Sequence, residues 1–112
     1  MEKIDALLKK YNNFKDAQID SIQQLTDTSK LLTLVIQDDD GEEVERVKIE
    51  FNNIKESKIL ANHVLPFLDM MSGITIIEEH GLYGFAVGSG TAMLHVHSAP
   101  MYIISSDIKI DE

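Results

Sequence analysis

Cysteine does not occur in this chain, which rules out disulfides, thiolate metal sites and a cysteine nucleophile at once. A domain of 112 residues can build a core without such staples, and their absence fits a reducing compartment. Bases are also scarce: 10 Lys and Arg stand against 19 acids, for a net charge of −9. Nucleic-acid recognition needs a cationic footprint that displaces counterions. The densest basic spot here is Lys9-Lys10, so direct nucleic-acid binding is not expected. No window approaches the roughly 18 apolar residues that a membrane span needs. The opening Met1-Glu2-Lys3-Ile4-Asp5 places charges where a signal peptide would carry its apolar run. The expectation is one cytoplasmic domain over residues 1–112, with no membrane partner.

Charge is unevenly spread. Lys58 is the last base before Lys109, and the acids between them are Asp69, Glu78, Glu79 and Asp107. That stretch is rich in Ile, Leu, Val, Met and Gly, as a run of buried strands would be. The first half is dense in charge and most acidic from Asp38 to Glu45.

Ile4, Leu7, Leu8 and Tyr11 recur with helical spacing and predict a helix over 3–11, with Lys9 and Lys10 where the helix dipole favours cations. Asn12-Asn13 ends it. Residues 16–26 read as a strand with a bulge or a short helical interruption, because Ile22 and Leu25 fall out of phase with Ala17 and Ile19. A hairpin over 30–51 is the clearest element. Taking Asp40-Gly41 as a two-residue loop sets Leu34 opposite Val47 and Leu32 opposite Ile49, while Val35 meets Arg46, Thr33 meets Lys48 and Leu31 meets Glu50. A one-residue slip would oppose Leu34 and Arg46. Pro66 interrupts helical spacing in 55–72, which predicts irregular chain to about Val64 and a short turn after Leu65 that ends at Ser72-Gly73. Strands are expected at 74–79, 82–88, 92–98 and 102–110. In the last of these, Tyr102, Ile104, Ser106, Ile108 and Ile110 would share one face. The fold expected is α+β: a predominantly antiparallel, twisted sheet of six or seven strands that could curl into a sandwich or half-barrel, with an N-terminal helix.

Several constellations carry chemistry on paper. His95 and His97, two apart on a strand, would point to one face about 7 Å apart, but a zinc site needs three or four ligands. Gly88-Ser89-Gly90-Thr91 lacks the lysine of a phosphate loop and reads as a turn. Ser89 or Ser98 with His80, His95 or His97 and an acid would make a hydrolase set, though no nucleophile motif surrounds either serine. Gly81-Leu82-Tyr83-Gly84-Phe85 with Met93 and Met101 reads as core or as a partner-facing patch. The acidic tip Asp38, Asp39, Asp40, Glu42, Glu43 and Glu45 lacks the spacing of a calcium loop. It is either a solvated turn or the surface that docks a basic protein.

The run Phe14-Lys15-Asp16-Ala17-Gln18-Ile19, followed by Ile49-Glu50-Phe51-Asn52-Asn53-Ile54, resembles a loose group of small β-rich bacterial domains that open Phe-His-Asp-(Ala/Ser)-x-(Ile/Val). Some of that group are classed as immunity proteins that neutralise a secreted toxin. Lys15 stands where the group has His, so no role of that His carries over. The resemblance covers the first half of the chain and implies a protein that works by binding. The functional expectation is a non-enzymatic binding protein without metal or cofactor, an immunity-type inhibitor whose acidic tip masks the active site of a basic toxin. The alternatives are a structural homodimer and, third, a histidine-dependent metal protein or enzyme.

Overall fold

The computed structural model describes residues 2–90 and 92–111. Its six strands form a single antiparallel sheet: β1 (Gln18–Thr26), β2 (Ser29–Gln37), β3 (Glu43–Lys58), β4 (Ile74–Glu79), β5 (Leu82–Val87) and β6 (Tyr102–Asp111). The spatial order is β1-β2-β3-β6-β5-β4. The chain leaves central β3, crosses to the far edge, and returns through β5 to lay β6 beside β3, as in a Greek key. Helix α1 (Glu2–Lys10) precedes the sheet and α2 (Met93–His97) joins β5 to β6. The expected α+β architecture is the one found.

One sheet face carries the main core. Ile19, Leu32, Leu34, Val47, Ile49, Phe51, Phe85 and Ile103 line it, and Ile4 and Leu7 of α1, Phe14, Leu65 and Met70 close over it. The apolar stripe of α1 thus meets the sheet. The helix stops at Asn12 and Asn13, which take left-handed φ of 52 and 56°, a region open to Asn. Gly73, with φ 70°, lies against this stop: a Cβ there would land on the Asn13 carbonyl. A smaller cluster on the other face joins Ala86, Val96, Ala99 and Ile104 beneath α2.

The β2–β3 register is the one the hydrophobic pattern predicts, with Leu34 opposite Val47 and Leu32 opposite Ile49. Its loop is longer than expected. The ladder shifts between Ile36–Glu45 and Gln37–Glu43, and a five-residue connection, 38–42, replaces the two-residue turn. Gly41 donates to the Asp38 carbonyl at 3.0 Å and takes φ 81°, so a turn closes on a left-handed glycine. At the β4–β5 tip, His80 and Gly81 both have positive φ, the type I′ pattern that suits strand twist.

Three expectations are corrected. Residues 92–98 are not a strand: Met93–His97 is helical, because Val96 packs down on Gly84 and a five-residue segment is too short for apolar spacing to separate the two periods. β3 continues past Phe51 to Lys58, held by its pairing with β6. The even-numbered residues of β6 do not share a face, since Ile104 belongs to the small cluster and Ile108 and Ile110 pack on the main core with Ile103. The cause lies in the β3–β6 pair. Asn53 takes φ 55° between Phe51 and Ile54, both core-facing, so alternation is broken at this level. Around Leu65 the structure matches the prediction, with a 3-10 turn at Leu65–Phe67 that places Pro66 in its first turn.

Candidate functional site

The acidic residues singled out from the sequence lie close together, Asp38, Asp39, Asp40 and Glu42 on the β2–β3 connection and Glu43 and Glu45 at the start of β3; all are exposed except Glu45, which is half-buried. They do not behave alike. The Asp38 carboxylate turns back into the loop, where Oδ1 accepts the N–H groups of Asp40 and Glu42, both at 2.9 Å. Glu43 is held by Arg46, whose Nη2 donates to Oε1 at 2.7 Å and whose Nε donates to Oε2 at 3.2 Å. These hydrogen bonds draw the Glu43 carboxyl below its ordinary range and push Arg46 up. Arg46 also reaches Asp20 on β1 at 3.3 Å, a bridge that the sequence pattern does not signal. Asp39, Asp40 and Glu42 remain as the exposed carboxylates of a loop braced from inside by Asp38 and from below by Arg46, and Glu45, half-buried on β3, flanks them. Val44 stands among them, 61% exposed.

The histidines are dispersed. Two residues apart on a helix, His95 and His97 point to different sides instead of the shared strand face expected. His95 lines a cavity of about 290 Å³ with Thr75, Ser89, Ser98 and small apolar residues. Gly90 is pressed so closely on it that a Cβ would come within 2.6 Å of the His95 Cβ. His97 turns instead to Glu56, with Nδ1 3.7 Å from Oε2, and its ring meets Tyr102 edge-on at 5.5 Å. The Tyr102 hydroxyl donates to Glu56 Oε1 at 3.2 Å. Burial and this carboxylate push the Tyr102 pKa up.

The candidate serines and carboxylates sit in different places: Ser89 and Ser98 line the His95 cavity, whose lining includes no acidic residue, while Glu56 stands by His97 and Glu79 lies 3.9 Å from His80. Ser98 donates to the Leu94 carbonyl at 3.2 Å. Among the described residues there is no group of three or more His, Asp or Glu placed to hold a metal ion.

Of the aromatic and methionine patch, Phe85 and Met101 are fully buried. Gly84 permits a close approach, and the visitor is the chain's own α2: a Cβ would lie 2.6 Å from Met93 Sδ. Large apolar side chains that do face solvent include Leu94 of α2, 73% exposed, and Phe67 and Met71, 85% and 75% exposed on the segment between β3 and β4. Among the described residues no helix is long and apolar enough to cross a membrane.

Comparison with models of known protein families, with curated proteins and with solved structures found no match for this chain.

Proposed function

We propose that this chain is a small acidic cytoplasmic binding protein, specifically an immunity-type inhibitor that masks the active site of a basic bacterial toxin. The observation that carries this reading is the braced tip. Asp38 spends its carboxylate on the loop's own N–H groups, so Asp39, Asp40 and Glu42 are presented on a loop that loses little freedom on docking, with Glu45 beside them on β3. Pre-organisation of this kind lowers the entropic cost of association. A concentrated negative field at a hairpin tip, on a chain of net charge −9, speeds encounter with a cationic cleft and rejects acidic partners.

The test is genetic and direct. The reading expects the gene to neighbour one for a larger protein with a basic C-terminal domain. Co-expression should relieve that domain's toxicity, and the combined variant Asp39→Asn, Asp40→Asn, Glu42→Gln, Glu45→Gln should lose protection while remaining folded. A solitary gene, or full protection by the folded variant, would overturn it.

A further inference from the structure

We infer that Phe67 and Met71 are the apolar anchors of a docking surface that runs on into the acidic tip, and that its occupant is a basic protein with an apolar patch bordered by lysine or arginine. The inference rests on the inhibitor reading for its cationic partner, and adds the part of the surface that would grip it.

The backbone that carries these side chains is tied down. Leu65 and Met70, on the segment between β3 and β4, are buried in the main core, and Pro66 occupies the first turn of the 3-10 helix. The Phe67 and Leu68 N–H groups donate to the Val64 and Leu65 carbonyls at 3.0 and 3.1 Å. The Met71 N–H donates to Asp69 Oδ1 at 2.9 Å. Between these fixed points Phe67 is 85% and Met71 75% exposed. They are four residues apart, so within about 14 Å of each other. Aromatic residues and methionine are enriched in protein interfaces, and an ordered backbone leaves little freedom to lose on docking.

Two long-range bonds place the segment. The Ile22 N–H of β1 donates to Asn62 Oδ1 at 2.9 Å, and the Asp16 N–H donates to the Met70 carbonyl at 2.9 Å. Residues 62–70 therefore run beside β1 from its middle back to its start. That start adjoins the end of β2: Gln18 pairs with Val35, and its Oε1 accepts from Gln37 Nε2 at 3.2 Å. The acidic tip follows Gln37. Two residues of chain and one strand spacing separate Asp16 from this point, so Met70 lies within about 20 Å of the tip. A standard interface covers both. Leu94, also exposed, belongs to α2 on the other sheet face and has no such continuity.

Charge selects the occupant. Asp16 and Asp69 are exposed beside the patch, and Asp20 is exposed further along β1. The bases at this end are Lys15 next to Asp16, Lys9, which shares a groove with Asp5, and Arg46, already held by Glu43 and Asp20. Acid is in excess from Asp69 through to Glu42, and an apolar patch bordered by cations complements the whole surface. A bilayer surface does not, since its anionic lipids carry the same sign.

The probe is a blocked peptide, Leu-Lys-Lys-Leu-Leu-Lys-Leu-Leu-Lys-Lys-Leu-Leu-Lys-Leu, whose helix sets an apolar stripe between lysines. It is titrated into the full chain labelled at methionine methyl carbons and backbone nitrogens. Saturable shifts are expected at the Met71 methyl, the Phe67 amide and residues 38–42, with the buried Met101 methyl unmoved. Phe67→Ser combined with Met71→Ser alters exposed side chains alone and should weaken binding about tenfold or more. The peptide with glutamate for lysine should not bind. With glutamine for leucine it should shift residues 38–42 and leave the Met71 methyl in place. Shifts that map to Leu94 instead, unchanged affinity of the double variant, or equal binding of the glutamate peptide would overturn the proposal. So would a doubled mass in light scattering without peptide that the double variant abolishes, because a second copy would then be the occupant. The two readings fail separately. Full protection by the tip-neutralised variant removes the inhibitor and leaves the anchors, whereas an indifferent double variant removes the anchors and leaves the inhibitor.

Discussion

Asp38 grips Glu42 twice: its N–H donates to the Glu42 carbonyl at 2.9 Å, and its Oδ1 accepts the Glu42 N–H at 2.9 Å. The same carboxylate oxygen takes the Asp40 N–H. Asp38→Ala should therefore cost about 1 kcal/mol and speed amide exchange at Asp40 and Glu42, with little change in the sheet. Unchanged exchange at those two amides would show that Asp38 does not brace the loop.

Two glycines with left-handed φ should respond differently to alanine. At Gly41 nothing lies within 4 Å of the added Cβ, so the cost is the backbone strain alone, about 1 kcal/mol. At Gly73 the Cβ meets the Asn13 carbonyl as well, and the loss should exceed about 3 kcal/mol. Urea midpoints of the two variants measure the contrast.

Phe85 is fully buried and its ring lies 5.3 Å from that of Phe51, joining the β5 half of the core to the β3 half. Phe85→Ala should cost about 3–5 kcal/mol. Chemical denaturation checks it, and a loss under about 1 kcal/mol would place the centre of the core elsewhere.

Arg46 holds the Glu43 carboxyl below its ordinary 4.5 through hydrogen bonds and charge. The folded state thus binds this proton less tightly than the unfolded state. The contribution to stability is present above 4.5 and is lost as pH falls through the lower, folded value. Wild type should exceed Glu43→Gln in urea midpoint at neutral pH, with the gap closing as the solution is acidified below 4.5. A gap that persists in acid would assign the effect to another group.

Much of the fold is legible because its hydrophobic alternation is clean. Leu32, Leu34, Val47 and Ile49 set the central register by themselves, and Ile74 to Glu79 reads as the strand it forms. What escaped depends on contacts between distant residues. Nothing in Met93-Leu94-His95-Val96-His97 distinguishes a helix from a strand until Val96 finds Gly84. The polar run from Asn52 to Lys58 has no strand signature and is held in place by β6. The candidate tip was legible as a cluster of like charge. The division of labour inside it was not, since Asp38 and Glu43 turn inward by hydrogen bonds that composition cannot show.

The central claim is recognition of a basic partner by the outward carboxylates, and association kinetics test it most directly. Stopped-flow mixing with a basic toxin domain of the kind the inhibitor proposal calls for should give a rate constant that falls about tenfold or more between low and moderate salt. Neutralising Asp39, Asp40, Glu42 and Glu45 should lower the low-salt rate to a similar degree, with a smaller change in dissociation. Equal association rates for wild type and the folded variant at every salt concentration would contradict the account.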